Sequence, residues 1–487
     1  MVKDAIYWAN KIKFKEVSSQ ELLMQTYQKI KKLNPKYNAV VAYDYEQALK
    51  TLSQDSREHE SLVFGGVPIA LKMLGQAKAG WQQTASSKLL VNGKANETDY
   101  FVSALEQVGF IPFGQTNAPE FGFKNITDSE LYGVTKNVWQ PSHHAGGSSG
   151  GAASALASGI YPIVAASDGG GSIRIPASFS GVIGLKPTRG SMPNGPKSWR
   201  DWQGASINFA LTVSMRDTES LFYSIRGGHR AAPYYNGGDV IKEYSKLTSK
   251  LKIAACLDSP VANPVSSDAK EAYQEAIKFL VASGHEVTEV PYPVSGDSLI
   301  RSYYAMNGAE TASMVSGIER GLGRRIVKND LELMSWGLYQ YGKHLPAATY
   351  IESLDQWDQA AYQMETLFET FDLFLSPTAT TVAPKISQDL QSNQLREKLS
   401  QADQLSESEL AEVVYDMFEK SLYVTPYTQL ANLTGQPAIS LPTFVNREGL
   451  PLGIQLMASK GNEAVLFKIG KEFEAAQQFL LPKNYRE

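Results

Sequence analysis

Two short segments combine serines with glycines at a density that suits catalysis or anion binding. They are residues 146–151, GGSSGG, and residues 168–174, DGGGSIR. Glycines this dense let the backbone turn tightly and direct successive N–H groups into one concavity, where an anion can bind. The anion can be a phosphate or an oxyanion that exists only during a reaction. The serine in each cluster favours the oxyanion. A serine can attack a carbonyl group as a nucleophile, and the nearby N–H groups can then stabilise the oxyanion that forms.

Two other interpretations of the glycine clusters fit less well. A phosphate-binding loop would need GxxxxGK[ST], or GxGxxG with an acidic residue about 20 positions on, and neither is present. The string Gly146-x-Ser148-x-Gly150 matches the GxSxG turn of α/β-hydrolases, but that turn must follow a strand. The preceding residues, NVWQPSHHA, are typical of a loop. The pattern therefore favours a different kind of serine chemistry.

A nucleophilic serine needs a base, and one lysine is a candidate. Lys72 lies in a short apolar run, IALKML, at residues 69–74. Burial lowers the pKa of a lysine by up to several units, and a neutral lysine can accept a proton. However, lysines are rarely fully buried, and a lysine at a strand end usually reaches water. The residues alone leave both interpretations of Lys72 open and favour the second.

The long glycine- and serine-rich stretch resembles the signature of the amidase signature family. The resembling string is GGSSGGAASALASGIYPIVAASDGGGSIRIPASFSGVIGLKPTRG, residues 146–190. Similar blocks follow the family order elsewhere, at residues 66–72 (GVPIALK), 113–123 (FGQTNAPEFGF) and 433–442 (LTGQPAISLP). The resemblance thus covers nearly the whole chain, and the middle matches least.

The resemblance implies a Ser–cisSer–Lys triad and a mechanism through an acyl-enzyme. The matching motif positions make Ser172 the nucleophile, Ser148 the proton relay and Lys72 the general base. The family places a cis peptide before the relay serine, here between Gly147 and Ser148. The implied oxyanion hole consists of backbone N–H groups, those of Gly169, Gly170, Gly171 and Ser172. The family mechanism needs no metal and no cofactor.

Other motif positions are expected to support the triad or to contact substrate. Asp168 and Arg174 flank the nucleophile loop, and we expect them to brace it as a partly buried pair. Gly122 and Phe123 match the family's substrate-lining loop, although core packing explains Phe123 equally well. This sequence departs from the family pattern at three positions, where Asp, Thr and Cys are frequent: Met73, Gly169 and Ser180.

The elements that must position these residues alternate along the chain. Of the 487 residues 43% are hydrophobic, which is typical of a globular protein. Helical and strand patterns alternate, so we predict an α/β fold with a mixed β-sheet covered by helices on both faces. No linker divides the chain, so residues 1–487 are predicted to form a single large domain. Its predicted parts are the signature core at about 66–190, a variable substrate-side middle at about 215–370 and a C-terminal hairpin at about 437–458.

Composition excludes several classes of function and location. The net charge of −4 argues against nucleic acid as a partner. One cysteine cannot form an intrachain disulfide or a multi-cysteine metal site, and the six histidines show no metal-binding spacing. No signal peptide and no apolar stretch long enough to span a membrane is present, so we expect a cytoplasmic protein. The expected partner is a small-molecule amide, and a homodimer is left open.

The sequence therefore predicts an amidase that hydrolyses a carboxylic amide C–N bond, with linear amides as the expected substrates. One alternative is the A subunit of a tRNA-dependent amidotransferase, whose loop typically reads SIRQP, whereas this chain has Ile175. Another is a cyclic-amide hydrolase similar to the 6-aminohexanoate cyclic dimer hydrolases. The non-enzyme alternative is an anion-binding protein that uses the glycine-rich nest, against which the complete Ser/Ser/Lys set argues.

Overall fold

The computed structural model describes residues 2–54, 61–234 and 250–486. The predicted domain of residues 1–487, including its middle part, therefore extends over short segments outside the described residues. The division into core, middle and hairpin stays a prediction.

The centre of the fold is a mixed sheet of eleven strands, with a separate two-stranded ribbon beside it. The strands are β1 Val40–Ala42, β2 Pro68–Lys72, β3 Ile111–Thr116, β4 Asp128–Ser129, β5 Gly133–Val134, β6 Val164–Asp168, β7 Ile183–Lys186, β8 Ile207–Thr212, β9 Lys252–Ala255, β10 Glu286–Glu289, β11 Leu373–Pro377, β12 Ala438–Val445 and β13 Pro451–Met457. The order in the sheet is β1-β3-β2-β6-β8-β7-β12-β13-β11-β9-β10, and β4 pairs with β5. The pairs β3/β2, β2/β6, β11/β9 and β9/β10 are parallel, and the others are antiparallel.

Fifteen α-helices accompany the sheet in the described ranges. They are α1 Ala5–Lys13, α2 Ser19–Tyr37, α3 Tyr45–Gln54, α4 Tyr100–Gln107, α5 Gly150–Ala157, α6 Arg174–Ser180, α7 Met215–Ile225, α8 Ser267–Ala282, α9 Gly296–Leu322, α10 Leu333–His344, α11 Ala347–Thr370, α12 Asn393–Ser400, α13 Glu407–Val424, α14 Gln429–Thr434 and α15 Glu463–Ala475. Every residue of β2, β3, β6, β7 and β13 is buried, as expected for strands covered on both faces. The predicted α/β class with a helix-covered mixed sheet is confirmed.

The hydrophobic core contains two large clusters. The larger one joins the central strands to the helices that pack on them, α5 among them. The second one is mainly helical and comes from α9, α10, α12 and α13, with Phe121 packed into it. β12 and β13 form an antiparallel pair, as the predicted hairpin requires.

Small residues let the start of α5 approach two neighbouring segments closely. A Cβ atom at Gly150 would lie 2.4 Å from Oγ1 of Thr127, and one at Gly151 would lie 2.3 Å from the backbone N of Asn117. Side chains at these positions would therefore push the helix away from its neighbours. The glycines that stand out in the sequence thus bring the start of α5 against the residues that follow β3 and precede β4.

Candidate active site

Lys72 is the last residue of β2, and its side chain is 1% exposed. Its Nζ atom lies 2.7 Å from Oγ of Ser148 and 3.0 Å from Oγ of Ser167. β2 runs parallel to β6, so the end of β2 lies next to the end of β6, which carries Ser167. The structure therefore buries Lys72 and does not let it reach water, which decides between the two interpretations left open by the sequence.

The surroundings of Lys72 favour its neutral form. Burial lowers the pKa of Lys72 to about 7, and the charge of Asp168 opposes this shift. Met73, where the family often has Asp, is 3% exposed and adds no charge beside the lysine. A large fraction of Lys72 is therefore unprotonated near neutral pH.

Ser148 follows a cis peptide between Gly147 and Ser148, as the resemblance implied. Gly147 faces the backbone of the 125–126 segment, where a Cβ atom would lie 2.6 Å from both N and O of Ile126. The close approach of two backbones requires glycine at this position. It places Ser148, only 2% exposed, directly before α5 and within reach of Lys72.

Ser172 lies in the turn that joins β6 to α6 and is partly exposed. The N–H of Ser149 donates to the Ser172 carbonyl at 3.2 Å, so the two serine-bearing segments touch. Within the described residues, no hydrogen bond joins the Ser148 and Ser172 hydroxyls, although both residues line the same cavity. Catalytic hydrogen bonds are often long before substrate binds.

Asp168 organises the turn that carries Ser172. Its carboxylate accepts N–H bonds from Gly171 at 2.7 Å and from Ile173 at 3.1 Å. The Arg174 guanidinium binds the same carboxylate through Nε and Nη2 at 3.0 and 2.9 Å. Both side chains are fully buried. Burial would raise the pKa of Asp168, but Arg174 and further hydrogen bonds hold it well below the usual value.

In the turn that carries Ser172, the N–H of Gly171 is hydrogen-bonded, whereas the N–H groups on either side of it are free within the described residues. The N–H of Gly171 donates to Asp168, so it does not face the cavity as the predicted oxyanion hole requires. Asp168 takes this N–H because its carboxylate caps the tight turn into α6. The amides of Gly170 and Ser172 make no hydrogen bond in the part of the chain that the structure describes. Gly169, Gly170 and Ser172 line the cavity.

The cavity beside the serines has a volume of about 310 Å³. Gly122 and Phe123 line it, as the resemblance implied for the substrate loop. Five more aromatic residues line it: Phe121, Trp202, Tyr303, Tyr304 and Phe418. The partly apolar cavity therefore combines Ser148, Ser172 and free backbone donors, and the buried Lys72 contacts it through Ser148.

Sequence reasoning missed Asn432 and Thr428, and it considered Tyr303 only as a possible lining residue of the substrate pocket, without its contact to the nucleophile turn. Asn432 donates to both the carbonyl and the carboxylate of Asp168 at 2.9 Å. The hydroxyl of Tyr303 donates to the Gly169 carbonyl at 3.1 Å, and that of Thr428 donates to the Gly170 carbonyl at 2.7 Å. Only Asn432 lies beside a family block, at residues 433–442. Tyr303 and Thr428 lie in segments without any motif.

Neither a metal-binding cluster nor a membrane-spanning helix is present in the described ranges. Across residues 2–54, 61–234 and 250–486, no group of three or more His, Cys, Asp or Glu side chains is arranged to hold a metal ion. None of the helices in those ranges is both long and apolar enough to cross a membrane. The cytoplasmic location stays a prediction.

Comparison with known proteins adds evidence that is independent of this geometry. The profile of the amidase family matches residues 21–467. The chain belongs to the amidase family. The amidase signature resemblance is thereby confirmed, and the chain is 37% identical over 481 residues to a lipoamidase from Enterococcus faecalis. That match covers 96% of this chain but 63% of the lipoamidase, so the chain spans less than two thirds of that relative.

A second amidase-family relative matches over most of its length. The chain is 30% identical over 485 residues to a 6-aminohexanoate-cyclic-dimer hydrolase from Paenarthrobacter ureafaciens, covering 97% of this chain and 94% of that protein. The solved structure of a 6-aminohexanoate cyclic dimer hydrolase complexed with substrate superposes with a TM-score of 0.86 at 27% identity. The superposition covers 99% of both chains, so this chain shares the fold of that hydrolase.

Proposed function

We propose that this amidase-family chain hydrolyses carboxylic amides through an acyl-enzyme on Ser172. The observation that carries the proposal is the contact of 2.7 Å between Nζ of Lys72 and Oγ of Ser148. A buried lysine with a pKa of about 7 can serve as a base there. One chain supplies all three triad residues, so activity is expected from this chain alone, as a monomer or a homodimer.

In the first half-reaction Ser172 replaces the amine of the substrate. Neutral Lys72 takes the proton of the Ser148 hydroxyl, and Ser148 takes the proton of Ser172 as its oxygen bonds to the carbonyl carbon. The carbonyl π electrons move to the oxygen, which becomes the oxyanion. As the C–N bond breaks, the proton returns from Lys72 through Ser148 to the leaving nitrogen.

In the second half-reaction water releases the acid. Water attacks the ester carbon and gives its proton to the same relay. The bond between carbon and the Ser172 oxygen breaks, and the serine regains its proton. We assign the oxyanion hole to the amides of Gly169, Gly170 and Ser172, because Gly171 donates to Asp168. Such a donor is worth about 3 kcal/mol in the transition state.

The cavity favours amides that have an apolar acyl group and carry no negative charge. Six aromatic side chains supply much of its apolar surface, and its wall also carries the carboxyl groups of Asp201 and Glu310. Burial raises the pKa of Asp201 to about 6. The one lysine of the wall, Lys124, is already paired with Glu332 at 2.7 Å and with Asp128 at 3.0 Å. An anionic substrate would therefore meet uncompensated repulsion.

The relatives suggest which amides to test first. The amide of lipoic acid carries an apolar acyl chain, in keeping with the lipoamidase relative. A cyclic amide is the second candidate, supported by the TM-score of 0.86 to the cyclic dimer hydrolase. Glutamine, the substrate expected of an amidotransferase A subunit, fits less well because Ile175 lines the cavity in place of that subunit's glutamine.

A covalent probe and a substrate panel test this function. A fluorophosphonate is expected to label the wild-type chain at neutral to alkaline pH and to leave Ser172→Ala unlabelled. Lipoamide, a cyclic amide of 6-aminohexanoate and glutamine would then be compared for release of amine or ammonia. Labelling that survives in Ser172→Ala would contradict the nucleophile, and a wild type that hydrolyses no amide would contradict the activity.

A further inference from the structure

We propose that Tyr303 is a positioning residue for the oxyanion hole. By holding the carbonyl of Gly169, its hydroxyl aims the N–H of Gly170 at the oxyanion. This inference rests on the proposed function, since it assigns a role in stabilising the oxyanion on Ser172. It concerns a residue of α9, more than a hundred positions away from the signature.

The contact joins two parts of the fold that the sequence keeps apart. Tyr303 lies near the start of α9, and its hydroxyl donates to the Gly169 carbonyl at 3.1 Å. Thr428, which lies more than a hundred residues further along the chain and just before α14, donates to the Gly170 carbonyl at 2.7 Å. The glycine turn is therefore held from outside at two successive carbonyl groups.

Because the peptide unit is planar, a hydrogen bond that fixes its carbonyl group also fixes the direction of its N–H group. In a trans peptide the C=O of one residue and the N–H of the next lie in one plane and point in opposite directions. A bond from Tyr303 to the Gly169 carbonyl therefore sets the direction of the Gly170 N–H. The same bond polarises the peptide unit, so the Gly170 N–H becomes a stronger donor.

In the described ranges, the peptide unit between Gly169 and Gly170 differs from the next one in having a free N–H group. The unit between Gly170 and Gly171 is held at both ends, by Thr428 on its carbonyl and by Asp168 on its N–H. The unit between Gly169 and Gly170 is held only at its carbonyl, and its N–H has no partner among the described residues. That free N–H borders the cavity that contains Ser172.

Steric contact explains why position 170 is glycine. A Cβ atom there would lie 2.5 Å from Oη of Tyr303 and 3.1 Å from its Cζ atom. The backbone at Gly170 lies so close to the phenol ring that a side chain there would displace the Tyr303 hydroxyl from the Gly169 carbonyl. The hydrogen bond of Tyr303 therefore depends on glycine at position 170.

The Tyr303 hydroxyl keeps its proton for the Gly169 carbonyl, to which it donates at 3.1 Å. Asn307, one turn along α9, uses its Oδ1 atom to accept from Nε1 of Trp202 at 2.6 Å. Burial raises the pKa of Tyr303 to about 12, so this proton is retained at neutral pH.

The test is Tyr303→Phe in the full chain, with a matched tyrosine as control. We expect kcat to fall about tenfold while KM changes less than about twofold, because only the transition state contains the oxyanion. A trifluoromethyl ketone that forms a tetrahedral adduct on Ser172 should lose affinity by the same factor as kcat/KM. In Tyr485→Phe, which removes a buried hydroxyl donated to the Leu156 carbonyl at 2.9 Å, kcat should stay at the wild-type value.

Two results would overturn the role of Tyr303. A kcat within twofold of wild type would mean that the hydroxyl does not act on the oxyanion. A rise in KM that accounts for the whole loss, with unchanged affinity for the ketone, would make Tyr303 a substrate contact. Comparable thermal midpoints of the two variants would exclude a general loss of folding as the cause. A wild type that hydrolyses no amide would instead contradict the proposed function.

Discussion

Nζ of Lys72 lies 2.7 Å from Oγ of Ser148, and both side chains are buried. At this distance the charged lysine donates a hydrogen bond to the serine, whereas the neutral lysine can accept the serine proton. The protonation state of Lys72 therefore decides whether the relay begins. Ser167, whose Oγ lies 3.0 Å from Nζ of Lys72, carries no charge. The pKa of Lys72 is therefore set by burial, which lowers it, and by Asp168, which raises it.

Activity should depend on pH through Lys72. Because burial lowers the pKa of this lysine to about 7, the neutral base prevails above pH 7 and the charged form below it. We expect kcat/KM to fall about tenfold per pH unit on the acid side and to level off on the alkaline side. Steady-state rates from pH 5 to 9 measure this. A flat profile, or full activity in Lys72→Met, would contradict the lysine base.

Gly122→Ala should impair catalysis more than its backbone strain explains. Gly122 and Gly133 share a φ of +79°, so alanine is strained to a similar extent at both. A Cβ atom at Gly122 would lie 2.5 Å from Cδ2 of Leu74 and 3.4 Å from Oγ of Ser148. At Gly133 the nearest atom is Nδ2 of Asn38 at 3.7 Å.

The expected outcome is a loss of about tenfold in kcat/KM for Gly122→Ala, since small displacements of catalytic groups are costly. Gly133→Ala should lose a similar amount of stability but keep its activity. Kinetics and thermal unfolding of both variants make the comparison. Equal activities in the two would show that the Gly122 position does not touch the reacting groups.

Arg174→Ala should strongly destabilise the fold. Arg174 and Asp168 are both fully buried, so truncating the arginine leaves a carboxylate without its partner. The loss should be about 3–5 kcal/mol in the free energy of unfolding, as for other broken buried pairs. Arg396→Ala, which breaks a solvent-exposed pair with Asp389, should lose at most about 1 kcal/mol. Urea denaturation of both variants measures the difference, and similar values would contradict it.

The charge of the substrate should change kcat/KM, and the carboxylate of Glu310 should account for part of this change. Amides that end in an ammonium group are expected to react faster than matched amides that end in a carboxylate. Glu310→Gln should reduce this ratio of kcat/KM values about fivefold, in line with an interaction of about 1 kcal/mol. Glu369→Gln removes an exposed carboxylate elsewhere, on α11, and should leave the ratio unchanged. An unchanged ratio in Glu310→Gln would contradict the electrostatic argument.

Local patterns were sufficient for much of the fold. The alternation of helical and strand segments predicted the α/β class, and the turn at residues 446–449 predicted the pair β12 and β13. Such features depend on side-chain periodicity and turn chemistry within a few residues. The order of strands in the sheet does not, because pairing between distant segments has no local signal.

The sequence by itself determined the family, the candidate triad and the glycine turn, since motif residues stand at characteristic positions along the chain. The tertiary structure decided that Lys72 is buried, because β6 and the loop of Ser148, both distant in sequence, pack against its side chain. It also decided which turn amides are free, assigning Gly171 to Asp168 and placing Tyr303 on Gly169. Desolvation and hydrogen-bond direction depend on atoms contributed by distant segments, so no local pattern contains them.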